Sequence, residues 1–419
     1  MEPNPADAAV LLPPRTRLIH IGPPKTGTTS VQGAFHARRD ELRAQGVHYA
    51  GAARHSASAV RAVTGRPSAY DEDVPPPRRR WNALVRDIRG AGDRRVVLSS
   101  ELLADATPDA IRAITRALGP APVHVVATLR PLAALMPSQW QQYVQAGLTA
   151  SFDAWLTAML DRDDGVPTPS FWVRHRHDRL VERWAAAVGS ANVTVIARAE
   201  PDPELVLRSL ERLTGLGAGT LVATPDFANR SLTLPEAEAV RAFNAEYRSQ
   251  RLGRPLLNRV MHFGACQYLK RIEPDPAWPR IEMPQWALDR VAPISREIVT
   301  GIAGSGVRVI GDLEALAEVE PSRLAGDRQP PVDVPPRIAA RMAMGVLVAS
   351  GLVRERSQPD AGAAELQLER GPTPVLQEPY DLYRVPTYVL AGTIVHRLRA
   401  DAVRRLRTLV TRPRGRPGA

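Results

Sequence analysis

The sequence predicts an α/β protein with a P-loop NTPase-like three-layer fold, a central parallel sheet and a mainly helical C-terminal extension. Three observations predict it. Short runs of Val, Ile and Leu alternate with helical patterns, a Gly-rich loop joins the first strand to the first helix, and helical patterns dominate after about residue 235. Apolar runs of this kind are typical of parallel strands that are buried on both faces.

The predicted strands fall where these apolar runs are, at 16–21, 95–99, 123–129, 193–197 and 307–310. A helical pattern over 28–44 follows the first strand, so the Gly-rich loop lies between a strand and a helix. Binding residues in a parallel sheet collect at the carboxyl ends of the strands. We therefore expect the functional site at that edge of the sheet.

The overall composition is that of a globular protein. The 419 residues are 44% hydrophobic and 24% charged, which is ordinary for a folded domain. The chain has neither a signal-peptide pattern nor an apolar stretch of about 18 residues, so we expect a cytoplasmic protein without a membrane-spanning helix. The single cysteine, Cys266, excludes an intramolecular disulfide and a multi-cysteine metal site.

The net charge of +11 is concentrated at the C-terminus, where residues 397–419 hold eight Arg and one acid, Asp401. The remaining chain is mildly basic, which favours anionic small molecules over specific nucleic-acid binding. The tail is apolar at its start and then basic and amphipathic. We expect it to dock onto the protein or a partner, with peripheral contact to a membrane surface as the alternative.

The sequence predicts four regions along the chain. They are a disordered N-terminus (1–15), an α/β domain (16–318), a linker-rich region with a helical segment (319–380) and the basic amphipathic tail (381–419). Pro, Asp, Glu and Gly dominate parts of the third region, which is typical of linkers. Nothing in the sequence indicates an oligomeric state.

Lysine is nearly absent from the chain. Of 55 basic side chains only Lys25 and Lys270 are lysine. A loop of eight residues would hold about 0.04 lysines by chance, yet Lys25 lies inside the Gly-rich loop that resembles a phosphate-binding loop. Its position there indicates a chemical role.

The Gly-rich loop runs from Gly22 to Thr29 with the sequence GPPKTGTT. Its spacing nearly matches the phosphate-loop pattern G-x-x-x-x-G-K-[ST], but Thr28 stands where that pattern has lysine. A typical NTPase also needs an acid for Mg²⁺, and Glu101 after the second predicted strand is a weak substitute. The loop therefore disfavours a kinase or NTPase.

The segment from His20 to Gln32 resembles the 5′-phosphosulfate loop of PAPS-dependent sulfotransferases, particularly the bacterial branch with Lys-Thr-Gly-Thr-Thr. The resemblance implies PAPS as co-substrate without a metal. It implies that the loop binds the phosphosulfate, through Pro24, Lys25, Thr26, Gly27, Thr28 and Thr29. Lys25 would neutralise charge on the bridging oxygen as the nucleotide leaves.

The resemblance also implies a site for the 3′-phosphate, formed by an Arg at a strand end and a Ser eight residues later. Arg130 and Ser138 fit this spacing. A third segment, 226–232, resembles the loop that closes over the nucleotide, through Asn229 and Arg230. The alternative for this segment is a turn and helix cap before a helix that opens at Pro235.

These features predict an enzyme that moves a sulfuryl group from PAPS to a hydroxyl of a carbohydrate or other metabolite, with an amine as the less favoured acceptor. The alternatives are a P-loop kinase or NTPase, and a nucleotide-binding scaffold without transfer activity. Acceptor identity cannot be read from the sequence.

The acceptor hydroxyl needs a general base, for which three residues are candidates. His55 resembles a His found after the first strand–helix unit in the bacterial branch, Glu101 ends a predicted central strand, and His48 has a structural role as its alternative. His175 and His177 lie in a polar helix start and are expected at the surface.

Overall fold

The computed structural model describes residues 10–67, 74–161, 167–198, 203–223, 230–351 and 353. The chain divides into two compact units, Met1–Glu355 and Arg356–Ala419. The second unit, with the predicted basic tail, lies outside the described residues.

The sheet of the first unit is parallel throughout its six strands, in the order β2-β3-β1-β4-β5-β6. The strands are β1 Arg17–His20, β2 Val47–Tyr49, β3 Arg95–Ser99, β4 Val123–Leu129, β5 Val193–Ala197 and β6 Arg308–Gly311. Because all six run in one direction, the loops that follow them meet at one edge of the sheet. The predicted α/β fold with a central parallel sheet is confirmed.

Helices cover both faces of the sheet and form most of the chain after β5. The helices within the first 200 residues are α1 Thr28–Ala37, α2 Arg39–Ala44, α3 Ala57–Thr64, α4 Arg79–Arg89, α5 Pro108–Ala117, α6 Leu132–Gln145, α7 Phe152–Leu160, α8 Ser170–His175 and α9 His177–Val188. The later helices are α10 Pro203–Thr214, α11 Leu234–Ser249, α12 Arg254–Leu257, a π-helical segment Asn258–Ala265, α13 Cys266–Arg271, α14 Gln285–Ala303 and α15 Pro336–Ser350. A 3₁₀ turn, Glu101–Asp105, follows β3 directly.

Neighbouring residues of each central strand enter different apolar cores. On β1, Ile19 belongs to the larger core and Leu18 to the smaller one. On β3, Val96 and Leu98 face the larger core and Val97 the smaller one. Since side chains alternate across a strand, both faces of the sheet are buried. This is why the sequence shows continuous apolar runs instead of alternation.

The predicted strand bounds agree with β3, β4 and β5 and lie within a residue of β1 and β6. Strand β2 was not predicted, because it has only three residues and includes a polar His48. It pairs with β3 at the edge of the sheet, where tertiary contacts rather than a long apolar run stabilise it.

The surface location expected for His175 and His177 is wrong, since both side chains are fully buried. The ring of His175 lies 4.7 Å from that of Phe171, which is one turn away on α8. The charged neighbours that made the segment polar in sequence pair with each other, as in the ion pair between Arg176 and Asp178. The two imidazoles therefore face the core, and the charges beside them are compensated by ion pairs, Arg176 with Asp178 and Arg174 with Asp105.

The residues before β1 pack against the domain. Leu12 is buried, and its N–H donates to the carbonyl of Leu213 at 3.0 Å. At the other end of the unit, α15 packs against the π-helical segment, where Gly264 and Gly345 face each other. No helix among the described residues is long and apolar enough to cross a membrane.

Candidate active site

The Gly-rich loop leaves β1 at the carboxyl edge of the sheet and passes beside the end of β3. Gly22 has a φ of +76°, a conformation that favours glycine. A Cβ on Gly22 would lie 3.0 Å from Cα of Glu101 and 3.2 Å from Oγ1 of Thr28. This close approach requires glycine at position 22 and places Glu101 against the loop.

Lys25 lies at the turn of the loop with a φ of +69°, in the left-handed region that non-glycine residues rarely adopt. Two hydrogen bonds hold the turn. Nη1 of Arg130 donates to the carbonyl of Lys25 at 2.9 Å, and Oγ1 of Thr26 donates to the carbonyl of Pro23 at 2.7 Å. Arg130, from the end of β4, thus fixes the backbone at the lysine.

The loop ends at the N-terminus of α1, where Gly27 has a φ of +99°. The first N–H groups of a helix have no partner within the helix, and the helix dipole adds positive potential there. A Cβ on Gly27 would lie 3.3 Å from Nη1 of Arg198. A guanidinium therefore lies directly over the start of this ten-residue helix, which suits an oxyanion.

The site collects positive charge. Burial, together with the charges of Lys270 and Arg130, lowers the pKa of Lys25 to about 8. The pKa of Arg130 is lowered by burial and by the charge of Arg198. Positive groups that depress one another's pKa in this way are stabilised when an anion binds between them.

One buried hydroxyl at the loop lacks a partner. Oγ1 of Thr28 is buried without a hydrogen bond among the described residues. A buried hydroxyl without a partner costs free energy, and this one lies on the first residue of α1, where a phosphate is expected. The loop therefore fits the phosphosulfate of PAPS, which would bring acceptor oxygens to Thr28, to the free N–H groups of α1 and to the cations.

The other predicted nucleotide-binding residues have different surroundings. Ser138 is half-buried on α6, the helix that follows Arg130. Arg230 donates to both carboxylate oxygens of Glu236 at 2.8 and 2.7 Å and to the carbonyl of Ile272. Asn229 lies outside the described residues. The guanidinium of Arg230 is thus already engaged in an internal ion pair.

The three candidate bases differ in their surroundings. Glu101 is half-buried against the loop and accepts a hydrogen bond from Nε2 of Gln32 at 3.1 Å. His55 is exposed in the turn before α3. Nε2 of His48 lies 3.0 Å from Oδ2 of Asp87, a pairing that indicates a structural role. Of the three, Glu101 is the one in contact with the loop.

His20 links the three strands that precede the loop, Glu101 and Arg130. Its Nδ1 lies 2.8 Å from Oγ of Ser99 on β3, and its Nε2 lies 2.8 Å from Oγ1 of Thr128 on β4. Burial lowers the pKa of His20 to about 4, so the ring is neutral near pH 7. The ring fixes the spacing of the three strand ends from which the loop, Glu101 and Arg130 emerge.

Arg198 at the site was not predicted from the sequence. It follows β5 as Arg130 follows β4, so the strand-end argument used for Arg130 could have found it. The influence of Lys270 on α13, whose charge lowers the pKa of Lys25, was not predicted either, since no local pattern links α13 to the loop.

Comparisons with known proteins give a likeness to a solved structure. No protein-family model matches the chain, and no curated protein matches it. Among solved structures, the chain is similar to a sulfotransferase from Alicyclobacillus acidocaldarius, with 17% sequence identity and a TM-score of 0.36 over 60% of this chain and 97% of that chain. A likeness at this level does not decide the function. Among the described residues, no group of three or more His, Cys, Asp or Glu side chains is placed to hold a metal ion.

Proposed function

We propose that the protein is a PAPS-dependent sulfotransferase that acts on a hydroxyl of a carbohydrate or other metabolite. The observation that carries the proposal is the geometry of the loop. Lys25 lies in the middle of the loop, held by Arg130, while Thr28 occupies the position at which a nucleotide triphosphatase has its lysine.

In the proposed reaction, the loop N–H groups and Thr28 bind the 5′-phosphate of PAPS, and Arg130 with Ser138 binds the 3′-phosphate. The acceptor oxygen attacks sulfur as the bond from sulfur to the bridging oxygen breaks. The electron pair of that bond goes to the phosphate of PAP, where the ammonium of Lys25 neutralises the charge. The proton of the acceptor hydroxyl goes to the general base.

We assign the base to Glu101, because it contacts the loop and its carboxylate is held by Gln32. A carboxylate at the end of a central strand can reach an acceptor that lies beside the sulfuryl group. His55, on its exposed turn, remains the alternative base.

Calorimetric titration with PAP and with ATP-Mg²⁺ tests the function. We expect PAP to bind and ATP-Mg²⁺ to bind at least tenfold more weakly. The reverse preference would show a kinase or NTPase instead. Binding of PAP without transfer of labelled sulfate to any acceptor in cell extracts would favour a nucleotide-binding scaffold.

The variant Lys25→Ala tests the catalytic lysine. Loss of one charge-neutralising group in a transition state commonly lowers the rate by about 10²–10³-fold. We expect a loss of that size in transfer from labelled PAPS, and a Lys25→Ala variant with the parent rate would refute the role.

A further inference from the structure

One stretch of the helical region carries a surplus of positive charge. Residues 247–272, which run from the end of α11 through α13, hold six Arg or Lys and no Asp or Glu. At the average density of the chain, a stretch of this length would hold about three acids. The chain has a net charge of +11, and since residues 397–419 supply +7 and this stretch supplies +6, the remaining residues sum to −2. Outside the C-terminal tail, the surplus of cations is therefore confined to this stretch.

Arg251 and Arg254 bring this charge to the surface. Both residues are exposed, and neither forms an ion pair with a described residue. Elsewhere exposed arginines pair with acids on the same helix, as Arg179 on α9 does with Glu182 at 3.1 Å. Around Arg251 and Arg254, the positions three and four residues away hold no acid. Both guanidiniums are therefore available to an anionic partner.

Exposed apolar side chains lie among these arginines. Leu252, Leu256 and Phe263 are 50%, 47% and 43% exposed, and they are three of the nine large apolar side chains that are exposed in the described part of the chain. Leu252 lies in the turn before α12. Leu256 and Phe263 lie on the helical stretch that follows, with Arg259 exposed between them, and steps of three and four positions keep to one side of a helix. A single exposed apolar residue is common, but a group of three among cations indicates an interaction surface.

Hydrogen bonding and packing hold this surface in place. The hydroxyl of Tyr247 donates to the carbonyl of Gly253 at 2.6 Å and closes the turn that presents Leu252. On the opposite side of the helical stretch, Leu257 and Met261 are buried in the larger core. The exposed side chains are thus presented by a fixed backbone, which lowers the conformational entropy that is lost when a partner binds.

We propose that this basic-apolar surface, formed by Arg251, Leu252, Arg254, Leu256 and Phe263, docks the protein on a bilayer that contains anionic lipids. The three apolar side chains enter the boundary between head groups and acyl chains, and the guanidiniums contact lipid phosphates and carboxylates. The methylene stems of the arginines lie along the same boundary. The contact is peripheral and involves no covalent step. It is independent of the proposed sulfuryl transfer.

The apolar side chains distinguish a bilayer from a nucleic acid. Arginines alone would suit the phosphates of either partner. A nucleic-acid backbone offers no apolar layer for Leu252 and Leu256, and an aliphatic side chain cannot stack on bases as an aromatic ring does. A bilayer interface accepts both kinds of side chain at once. The leucines therefore favour lipid.

Flotation of the full-length protein with vesicles tests the docking. The vesicles are phosphatidylcholine with or without about one third phosphatidylserine, and we expect the protein to bind those with phosphatidylserine more tightly. Because the basic C-terminal tail can also attract vesicles, the informative quantity is the difference between full-length variants. Leu252→Ser/Leu256→Ser should weaken binding by at least about tenfold, and Arg251→Gln/Arg254→Gln by about fivefold per charge.

Two control variants match these changes elsewhere on the surface. Val222→Ser replaces an apolar side chain that is also 50% exposed, and Arg112→Gln/Arg116→Gln removes two exposed cations. Both should bind vesicles as the parent does, and thermal denaturation checks that all four variants fold. Equal losses in the surface variants and the controls, or no loss in any of them, would overturn the proposal. PAP affinity should be unchanged in all four, so a failure of PAP binding bears on the transferase function alone.

A fluorescent label reports insertion directly. The single cysteine of the chain, Cys266, is fully buried, so a thiol-reactive nitrobenzoxadiazole label reacts with the thiol introduced by Leu256→Cys or, as the control, by Val222→Cys. We expect phosphatidylserine vesicles to shift the emission to the blue at position 256 and not at position 222. The absence of a shift at position 256 in vesicle-bound protein would overturn the proposal. Loss of duplex DNA binding, with vesicle binding retained, in Arg251→Gln/Arg254→Gln would assign the surface to nucleic acid and overturn it as well.

Discussion

Two threonines of the loop differ in whether their hydroxyl group serves the fold or is available to a ligand. Thr28 keeps a buried hydroxyl without a partner, whereas the hydroxyl of Thr26 donates to Pro23. Thr26 therefore has an internal hydrogen bond that Thr28, two positions later, lacks. When an anion binds at the helix N-terminus, the hydroxyl of Thr28 can donate a hydrogen bond to it, which strengthens binding.

The variant Thr28→Val should therefore weaken PAP binding by about tenfold while leaving the free energy of unfolding unchanged or slightly raised. Thr26→Val, its matched control, loses an internal hydrogen bond and should lower the free energy of unfolding by about 1 kcal/mol. Calorimetry and chemical denaturation measure the two effects. A Thr28→Val protein that is destabilised and binds PAP normally would contradict this assignment.

Replacement of the base tests its identity at the same scale. Glu101→Gln keeps an acceptor for Gln32 but cannot take a proton, so we expect kcat to fall by about 10²–10⁴-fold with PAP affinity unchanged. His55→Gln should retain most of the parent kcat. The opposite result, with the loss in His55→Gln, would assign the base to His55.

At the level of elements, local sequence patterns predicted the residues of the site that lie in loops directly after strands. Lys25 and Arg130 follow strands whose apolar runs are visible in the sequence, and this made their location at the carboxyl edge of the sheet predictable. The ammonium of Lys270 on α13 donates to Oε1 of Gln145 on α6, and its charge lowers the pKa of Lys25. Such a contact depends on tertiary packing between distant segments, which periodicity and spacing do not encode.

The helical region contains a close helix crossing just before α13. A Cβ on Gly345 of α15 would lie 2.6 Å from Cα and 2.9 Å from N of Ala265, which precedes α13. Gly264, the neighbour of Ala265, meets the same helix, since its Cβ would lie 2.9 Å from the carbonyl oxygen of Gly345. Backbone atoms cannot give way as a side chain can, so the two elements must separate if a methyl group is added.

Gly345→Ala should lower the free energy of unfolding by about 1–3 kcal/mol, because α15 and the π-helical segment must move apart to admit the methyl group. Gly326→Ala is the control, since a Cβ there meets nothing within 4 Å. Thermal denaturation measures both. Equal stability of the two variants would show that the crossing tolerates a methyl group.

For the whole molecule, buried neutral histidines make stability depend on pH. His20, His124, His177 and His262 each have a pKa lowered to about 4, with burial as the main cause. The unfolded chain, with histidine pKa values near 6.5, binds more protons than the folded chain between these values. The free energy of unfolding therefore falls as pH drops from about 6.5 to about 4, by up to about 1.4 kcal/mol per pH unit for each such histidine.

Urea denaturation at pH 7, 6 and 5 measures this slope. We expect the His20→Gln variant to have a lower free energy of unfolding than the parent at pH 7. On acidification its free energy of unfolding should fall less steeply than that of the parent, by up to about 1.4 kcal/mol per pH unit. A His20→Gln protein with the parent slope would show that His20 is not the neutral buried group described.

The ring of His20 also bears on the order in which the site forms. It joins β1 to β3 and β4, and all three strands lie within the first 129 residues of the chain. The strand ends that carry the loop, Glu101 and Arg130 therefore need none of the later helices in order to meet. Arg198 follows β5, so a nascent chain that ends before β5 would hold the loop and still lack the guanidinium beside Gly27.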